Sequence, residues 1–232
     1  MDDLVLAERV RHLSVKDDPA ATLRSITQLA VETTVCEHAS VTLIEADGTL
    51  VSASATDAAA ERADALQYEL QEGPCLTAAE RGELYVIRDM DADPRWPRWS
   101  PEVKAQLGIN SVLSLHLFTA DRALGALNLY NDAVRGWTEE ELVACRVVAA
   151  HASVALARLR HEEDLWRAVD ARHLVGMAQG VLMERYSINA EQSFSVLRRY
   201  SQTHNVKLAV IAQQLVEHGE LPGGEHPVLD GD

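Results

Sequence analysis

The hydrophobic positions of the chain follow two periods, which predict a fold that mixes helices and strands. Apolar residues at helical spacing predict helices over residues 3–12 and 19–37. The period then changes to two, and strands are expected over residues 41–45 and 49–53. Asp47-Gly48, between these strands, favours the positive φ angles of a tight hairpin turn.

The pattern after residue 57 indicates further helices and a second hairpin. Pro is tolerated at the first position of a helix, so a short helix is expected to begin at Gly73-Pro74. Prolines exclude regular structure from residues 93–99. The other predicted elements are a helix over residues 58–68, a strand over 83–88 and hairpin arms over 111–118 and 123–130. Strands paired by hairpins, with helices at both ends, indicate an α+β domain with an antiparallel sheet.

A long connecting helix is predicted from Thr138 to about Arg185. Thr138 and Glu141 have the spacing of a capping box, and no proline interrupts the region that follows. Six of its residues have the three-then-four spacing of a coiled-coil seam, namely Leu142, Cys145, Ala149, Ala152, Leu156 and Leu159. We infer a parallel homodimer joined along this seam. The alternative, for its first half, is that these small apolar residues pack against the domain's own sheet.

The last part of the chain contains three amphipathic helices with short connections, which predict a small bundle. The first has an apolar face that includes Leu174, Ala178 and Leu182. Asn189 is expected to cap the second helix, and Gly219 to end the third. The expected buried stripe of the second helix consists of Ala190, Phe194, Leu197 and Ser201.

Composition and charge exclude several classes of protein. The 232 residues, 47% of them apolar, suffice for two globular domains. A net charge of -15 excludes a protein that binds nucleic acid over its whole surface. Three separated cysteines without a CxxC pair exclude a disulfide framework and a zinc knuckle. The acidic N-terminus and the lack of an apolar run of about 18 residues favour a cytoplasmic protein with no membrane partner.

The uneven distribution of charge predicts the domain boundaries. Residues 166–218 carry six Lys and Arg residues against four Asp and Glu residues, and nearly all of the acidity lies in residues 1–165. Residues 219–232 are acidic and rich in Pro and Gly. We therefore expect a first domain over residues 1–165 that includes the start of the connecting helix, a three-helix domain over 166–218 and a disordered tail over 219–232.

Two parts of the chain resemble known families. Glu72-Gly73-Pro74-Cys75, together with residues 93–97 and 124–130, resembles a GAF domain of the bacterial sensory type. Residues 178–186 and Leu197-Arg198-Arg199-Tyr200-Ser201 are similar to ANTAR domains, the RNA-binding antitermination module. The resemblance implies a sensory first domain, a C-terminal domain that binds RNA, and a dimer that places two bundles on paired RNA hairpins.

Eight residues of the three-helix domain are candidate RNA contacts. Arg and Lys bind phosphates, and aromatic rings stack on the unpaired bases of RNA loops. Gln179 stands where ANTAR domains often have Lys, and Gly176 and Gly180 leave room for an RNA backbone or a second helix. The alternative is that these basic residues form ordinary surface. The candidates are Gln179, Met183, Arg185, Tyr186, Arg198, Arg199, Tyr200 and Lys207.

Four residues of the first domain are candidates for sensing a signal. Cys75 lies at a helix start, where the helix dipole lowers a thiol pKa and suits redox sensing, although free cysteines are often buried. His116 is a candidate haem or metal ligand. The alternative is a histidine whose hydrogen bonds are satisfied within the sheet, because no second ligand has suitable spacing. Trp96 and Trp99 either form the wall of an aromatic pocket or clamp their loop to the core. No catalytic residue, metal or cofactor is assigned.

The sequence thus predicts a signal-responsive regulator without enzymatic activity. The expected partners are a hairpin in a nascent transcript, a small-molecule effector of the first domain and a second copy of the chain. One alternative is a DNA-binding helix-turn-helix regulator, although the second and third helices lack the residues that read bases in a major groove. Another is a redox enzyme or sensor acting through Cys75, which has no resolving cysteine nearby in sequence. A third is a dimeric adaptor.

Overall fold

The computed structural model describes residues 18–34, 36–120 and 122–221. The predicted helix over residues 3–12 and most of the predicted tail lie outside these residues. The chain divides into two compact units, and the first unit ends at Arg160 while the second begins at His161. This division falls inside one long helix, as does the boundary predicted between residues 165 and 166.

The first unit has a five-stranded antiparallel sheet, and the predicted α+β fold is confirmed. The strands lie in the order β2-β1-β5-β4-β3, and every neighbouring pair is antiparallel. Its elements are α1 (Pro19–Thr33), β1 (His38–Ile44), β2 (Leu50–Ala55), α2 (Ala58–Leu70), α3 (Pro74–Arg81), β3 (Tyr85–Ile87), α4 (Trp99–Leu107), β4 (Ser111–Phe118), β5 (Ala123–Asn131) and the N-terminal part of α5 (Glu139–Tyr186).

Local capping explains where several helices begin and end. The Asp18 carboxylate accepts hydrogen bonds from the first free N–H groups of α1, and Asp57 does the same for α2. α1 ends at Thr33, four residues before the predicted end. The hydroxyls of Thr33 and Thr34 donate to carbonyl groups of the preceding turn, and β-branched residues are weak helix formers.

Helix α4 was not predicted, because its N-terminus is capped from a distant part of the chain. The Glu72 carboxylate accepts hydrogen bonds from the backbone N–H groups of Arg98 and Trp99, at 2.7 and 3.0 Å. Arg98, at the local N-cap position, makes no side-chain cap of its own. A carboxylate at a helix N-terminus is favourable, but residue 72 lies too far away in sequence for a local pattern to show it.

The two faces of the sheet have different chemistry. One face packs against α1 and α5 through apolar residues such as Val41, Leu113 and Leu127. The other face lies against α2 and α3 and carries buried polar side chains, among them Ser40, Ser114 and Asn128. The alternation of a β-strand sends successive side chains to opposite faces, so β1, β4 and β5 each contribute to both layers.

The second unit is a three-helix bundle formed by the C-terminal part of α5, α6 (Ala190–His204) and α7 (Leu208–His218). Asn189 and Gln192 form a capping box at the start of α6, and Gly219 ends α7 with a φ of 74°. Leu221 is buried in the bundle core, so packing extends past Gly219 into the segment predicted as tail. The core contains Ala178, Leu182, Val196, Leu197, Tyr200, Ile211, Ala212 and Leu215.

The buried stripe of α6 differs from the predicted one. Ser193, Val196, Leu197 and Tyr200 face the core, whereas Ala190 is exposed and Phe194 is 40% exposed. The prediction was wrong because it placed Phe194 inside on the strength of its hydrophobicity. The small Ser193 lies there instead and donates to the Ala190 carbonyl oxygen at 2.9 Å.

Helix α5 is apolar enough over part of its length to cross a membrane, as judged by length and composition within the described residues. Apolar side chains of this helix, including Cys145, Ala152 and Leu156, are buried against the sheet of the first unit. Core packing therefore accounts for the apolar composition of the helix.

Candidate functional site

The exposed face of α6 carries the most distinctive surface of the second unit. A shallow groove of about 500 Å³ lies along this face. Arg198 and Arg199 line it together with the hydrogen-bonding side chains of Gln192, Ser195 and Gln202. The Glu191 carboxylate lines the groove as well, so two guanidinium groups lie there beside one carboxylate and three neutral polar side chains. Guanidinium groups bind phosphates, and the neutral donors and acceptors suit base edges.

An exposed aromatic side chain lies one helical turn before one of these arginines. Phe194 and Arg198 are four residues apart, so their side chains leave α6 on the same side. Sequence reasoning missed Phe194 as a site residue because it assigned the ring to the core. The signal available in the sequence was the spacing of Phe194 and Arg198, a hydrophobic residue four positions before a basic residue.

Several predicted RNA contacts are instead used inside the second unit. The Gln179 amide donates to the Ala190 carbonyl oxygen at 2.9 Å and so holds the start of α6 against α5. Arg185 donates to the Gly219 carbonyl oxygen at the end of α7. Tyr200 is 8% exposed and its ring stacks on His204 within the bundle. The polar groups of Gln179 and Arg185 and the ring of Tyr200 thus have partners inside the chain, and their assignment as RNA contacts stays a prediction.

The remaining predicted contacts vary in their exposure. Met183, Arg198 and Lys207 are exposed, and Lys207 lies at the N-cap position of α7. Tyr186 and Arg199 are half-buried, and Tyr186 packs against the bundle core. The surface available to a partner of the second unit is thus centred on α6 and the start of α7.

Gly176 and Gly180 lie on the exposed side of α5. A Cβ atom added at either position would meet no atom within 4 Å. Neither glycine is therefore required by packing inside the chain. The close approach of an external partner would explain why glycine occurs at these two helical positions.

A buried polar network lies inside the first unit, on the sheet face covered by α2 and α3. Asp64 of α2 is fully buried at its centre. Its carboxylate accepts hydrogen bonds from the Tyr130 hydroxyl at 2.6 Å, Ser52 at 2.8 Å, Ser40 at 2.9 Å and the Asn128 amide at 3.2 Å. Desolvation raises the pKa of Asp64 to about 6, although these four donors act in the opposite direction. The network was not predicted, because its members are far apart in sequence.

Asp64 gives the first unit a predictable dependence on pH. Its folded-state pKa lies above the ordinary value of 3.8, so the folded chain binds this proton more tightly than the unfolded chain. The contribution of Asp64 to stability is therefore greatest in acid and is lost as the pH rises to about 6. For Asp64 alone, the free energy of unfolding is expected to fall by about 2 kcal/mol between pH 4.5 and pH 7.

Urea denaturation of the wild type and of Asp64→Asn, at several pH values over this range, measures that contribution. The difference between the two chains isolates Asp64 from the other titrating groups. The exposed Asp91→Asn variant is the matched control and should follow the wild type. Parallel curves for the wild type and Asp64→Asn would contradict the predicted contribution.

Cys75 extends the same network as a buried thiol. It is fully buried, its Sγ lies 3.2 Å from the Thr42 hydroxyl, and its backbone N–H donates to the Gln67 side chain at 2.8 Å. Burial, followed by the charge of Asp64, raises the pKa of the Cys75 thiol to about 12. The expected lowering of this pKa is therefore wrong, because desolvation outweighs the helix dipole.

The two candidate tryptophans are parts of the core. Trp96 is 4% exposed and Trp99 is fully buried. Their indole N–H groups donate to the Thr77 hydroxyl at 3.3 Å and to the Ala63 carbonyl oxygen at 3.1 Å. They clamp the proline-rich loop and α4 onto α2 and α3, which is the second of the two interpretations drawn from the sequence.

His116 is the sensor candidate that borders an open cavity within the described part of the first unit. It lines an apolar cleft between β4 and α5, and burial lowers its pKa. No group of three or more His, Cys, Asp or Glu side chains among the described residues is arranged to hold a metal ion. Small molecules therefore have access to the cleft, whereas the polar network is buried.

The residues of the predicted dimer seam belong to the core of the first unit. Leu142 packs against that core and is half-buried, and the others are nearly or fully buried. The alternative drawn from the sequence, that they pack on the domain's own sheet, is correct for them. Small apolar residues at this spacing are compatible both with a helix that packs on a sheet and with a coiled coil. The pattern alone therefore did not distinguish between these two arrangements. The remaining residues of the seam, with their exposed fractions, are Cys145 at 0%, Ala149 at 5%, Ala152 at 0%, Leu156 at 2% and Leu159 at 6%.

Solved structures similar to this chain include two GAF domains and a reductase. The GAF domain of a phosphoenolpyruvate-protein phosphotransferase from Coxiella burnetii is 17% identical with a TM-score of 0.54, over 71% of this chain and 99% of that one. Its counterpart from Acinetobacter is 13% identical with a TM-score of 0.52, over 69% and 96%. Free methionine-R-sulfoxide reductase from Neisseria meningitidis is 17% identical with a TM-score of 0.52, over 68% and 89%. At these identities the likeness establishes the fold. No curated protein matches the chain.

Family models identify both parts of the chain. The GAF domain model matches residues 16–157, and the ANTAR domain model matches residues 163–216. Both resemblances drawn from the sequence are thereby confirmed. The chain belongs to the GAF domain family, carries an ANTAR domain after its GAF domain, and is a signal-responsive regulatory protein.

Proposed function

We propose that this protein is a transcription antitermination regulator that binds hairpin RNA through α6 and the start of α7. The observation that carries the proposal is the surface of α6, where Phe194 and Arg198 lie one turn apart. The groove beside them is lined by Arg199, by Glu191 and by three neutral polar side chains. An unpaired base of an RNA loop stacks on the phenylalanine ring, and the Arg198 guanidinium binds an adjacent phosphate. Lys207, exposed at the N-cap position of α7, is a further positive charge of the second unit.

The acidity of the rest of the chain directs RNA to this surface. The protein carries 36 acidic and 21 basic residues, and the repulsion between its acidic surface and phosphates disfavours contacts elsewhere. Binding is therefore expected to be confined to a few phosphates, with a shallow dependence of the affinity on salt concentration.

A binding experiment with matched nucleic acids tests the proposal. The full chain is titrated in gel shifts with a hairpin RNA that has an unpaired loop, with the same RNA sequence annealed into a full duplex, and with duplex DNA of that sequence. The hairpin is expected to bind at least 10-fold more tightly than either duplex. Preference for duplex DNA would favour the helix-turn-helix alternative, and no binding at low salt to a panel of hairpins would reject the proposal.

In this proposal the GAF domain senses a small molecule in the cytoplasm, and the signal passes along α5. That helix is continuous from Glu139 to Tyr186, so one element contributes to both units. The proposal assigns no catalytic step to the chain. Cys75, the residue on which a redox enzyme would depend, is buried and has a raised pKa.

We further infer that the regulator is a homodimer joined by exposed apolar residues of α5 instead of the predicted seam. Leu165, Trp166 and Val169 are 53%, 69% and 55% exposed and cluster within about one turn. Replacing Trp166 and Val169 with glutamate is expected to convert dimers to monomers in sedimentation velocity. Glutamates at Val134 and Val210, which are exposed elsewhere, form the control. An unchanged sedimentation coefficient for the first variant would contradict this interface.

A further inference from the structure

Three separate parts of the chain meet at the side chain of His38, the first residue of β1. Its Nδ1 atom lies 2.7 Å from the carboxylate of Asp57, the N-cap residue of α2. Its Nε2 atom lies 3.3 Å from the carboxylate of Asp132, directly after β5. The histidine side chain is 19% exposed, whereas the two carboxylate side chains are 38% and 57% exposed. The imidazole ring thus joins the start of α2 to the end of β5.

The position of the ring between two carboxylates specifies its protonation state. An ionised carboxylate only accepts hydrogen bonds, whereas a neutral imidazole has one N–H group and one nitrogen lone pair. A neutral ring would therefore point its lone pair at one of the carboxylates, and only the imidazolium can donate to both. Burial by itself lowers the pKa of His38, but Asp57, followed by Asp132, raises it above the ordinary value of 6.5. The geometry thus makes the ring a binding site for a proton.

A third carboxylate lies next to this pair. The Glu37 carboxylate accepts a hydrogen bond from the Asp132 backbone N–H at 2.9 Å. On the other side of the ring, the Thr56 hydroxyl donates to the Asp57 carboxylate at 3.0 Å. Acidic groups from before β1, from the start of α2 and from after β5 therefore lie together, and a positive charge on His38 offsets their mutual repulsion.

The two carboxylates that face the ring belong to different structures. One oxygen of Asp57 accepts hydrogen bonds from the N–H groups of Ala59 and Ala60 and so caps α2. Its other oxygen faces His38. Asp132 begins the segment that leads from β5 to α5. The contact with Asp57 is the stronger of the two, because it is shorter and its carboxylate is less exposed.

We propose that His38 is a proton-sensing site of the first unit, whose protonated ring holds the start of α2 and the segment before α5 together. When the proton is lost, the neutral ring keeps its N–H group on Nδ1, bonded to Asp57, and releases Asp132. A role for this release in RNA binding rests on the proposed function, whereas proton binding is measured without RNA.

The direction of the pKa shift defines the pH range of this response. The folded chain binds the His38 proton more tightly than the unfolded chain does, because the folded-state pKa is raised. The contribution of the site to stability is therefore complete below pH 6.5 and is lost as the pH rises through the higher folded-state pKa. The release of Asp132 is expected in that same range, above pH 6.5.

Nitrogen NMR of the full chain with ¹⁵N-labelled histidine, combined with amide shifts, tests the site. The His38 signals are assigned by their loss in His38→Gln. We expect hydrogens on both ring nitrogens at about pH 6, and on Nδ1 alone once the ring has titrated. The amide signals of Asp132 and Ala133 should shift along the same titration curve, whereas those of Ala59 and Ala60 should change little.

Two conservative variants separate the roles of the carboxylates. Asparagine caps a helix about as well as aspartate, so Asp57→Asn keeps the cap of α2 while it removes the charge beside Nδ1. The neutral His38 ring is then expected to carry its hydrogen on Nε2, bonded to Asp132. Asp132→Asn should instead keep that hydrogen on Nδ1. Each variant should lower the proton affinity of His38 by at least about 3-fold.

The matched control is His151→Gln, which removes an exposed histidine of α5 and should leave the His38 titration unchanged. A His38 ring with a single N–H group at about pH 6 would overturn the proposal. It would also be overturned if the Asp132 and Ala133 amides stayed unmoved while the ring titrates, or if their shift persisted in His38→Gln. Because no RNA is present, these failures are distinct from a failure to bind hairpins.

Discussion

Replacing Phe194 and Arg198 together with alanine is expected to lower the affinity for hairpin RNA by about two to three orders of magnitude. Stacking of one base on an aromatic ring contributes about 1–3 kcal/mol, and an arginine that binds a phosphate contributes further. Both residues are exposed on α6, and neither belongs to the bundle core. The loss is therefore expected without a change in the melting temperature of the second unit.

The two single variants separate the two kinds of contact. Arg198→Ala should reduce the slope of log K against log salt by about 0.7–0.9, because one phosphate contact is lost. Phe194→Ala should leave that slope unchanged while lowering the affinity at every salt concentration. Fluorescence anisotropy with a labelled hairpin measures both quantities.

Matched controls distinguish a local contact from a general change in charge or shape. Arg24→Ala removes the same charge from an exposed position in the first unit, and Tyr200→Phe alters an aromatic residue that is buried in the bundle. Both are expected to bind hairpin RNA like the wild type. Loss of binding in Tyr200→Phe, with full binding by Phe194→Ala, would instead support the assignment made from sequence.

Gly125→Ala is expected to prevent folding of the first unit or to destabilise it by at least about 4 kcal/mol. Gly125 lies in β5 opposite Leu43 of β1, in the middle of the sheet. A Cβ atom at this position would lie 1.9 Å from the Thr42 carbonyl oxygen and 3.0 Å from the Leu43 Cα atom. The obstacle is backbone, so a side-chain rotation cannot relieve it, and φ at Gly125 is 155°.

The displacement of β1 would also reach the buried polar network. The Thr42 hydroxyl is bonded to the Tyr68 hydroxyl at 2.8 Å and to the Asn128 amide at 3.2 Å. Separating β1 from β5 therefore exposes or leaves unpaired several buried polar groups, which adds to the cost.

Urea unfolding followed by tryptophan fluorescence measures the effect of this substitution. Gly48→Ala is the matched control, because Gly48 also has a positive φ, of 87°, but an added Cβ atom there meets nothing within 4 Å. Its cost is expected to be about 1 kcal/mol, from backbone strain alone. Similar stabilities for the two variants would show that β1 and β5 separate easily, against the geometry described here.

Patterns local in sequence determined most of the elements of this protein. The alternation in residues 111–118 predicted β4 with both ends correct, and the Thr138 and Glu141 pair predicted the start of α5. Asn189 and Gly219 marked the start of α6 and the end of α7. Each of these signals acts within a few residues, through a cap or an alternation, and so it is visible in the sequence.

Tertiary structure decided which of several equivalent patterns is buried. The alanines and leucines of α5 satisfy a coiled-coil seam and a sheet-facing stripe equally well, and the sheet of the first unit covers them. On α6, a choice between Phe194 and Tyr200 depended on how α5 and α7 surround that helix, and the more hydrophobic ring is the exposed one. Hydrophobicity measures the gain from burial but not which neighbours are present to bury a side chain.

Likewise, the chemistry of the first unit depends on contacts between residues distant in sequence. The sequence by itself determined an α+β domain followed by a basic three-helix bundle, since periodicity, caps and charge are local properties. The sensory role of the first domain came from its resemblance to GAF domains. Only the folded chain shows that Asp64 meets Tyr130 and Asn128, that Glu72 caps α4, and that His116 lines a cleft beside α5. Burial changes the free energy of a charged or polar group by several kcal/mol, and burial is a property of the whole fold.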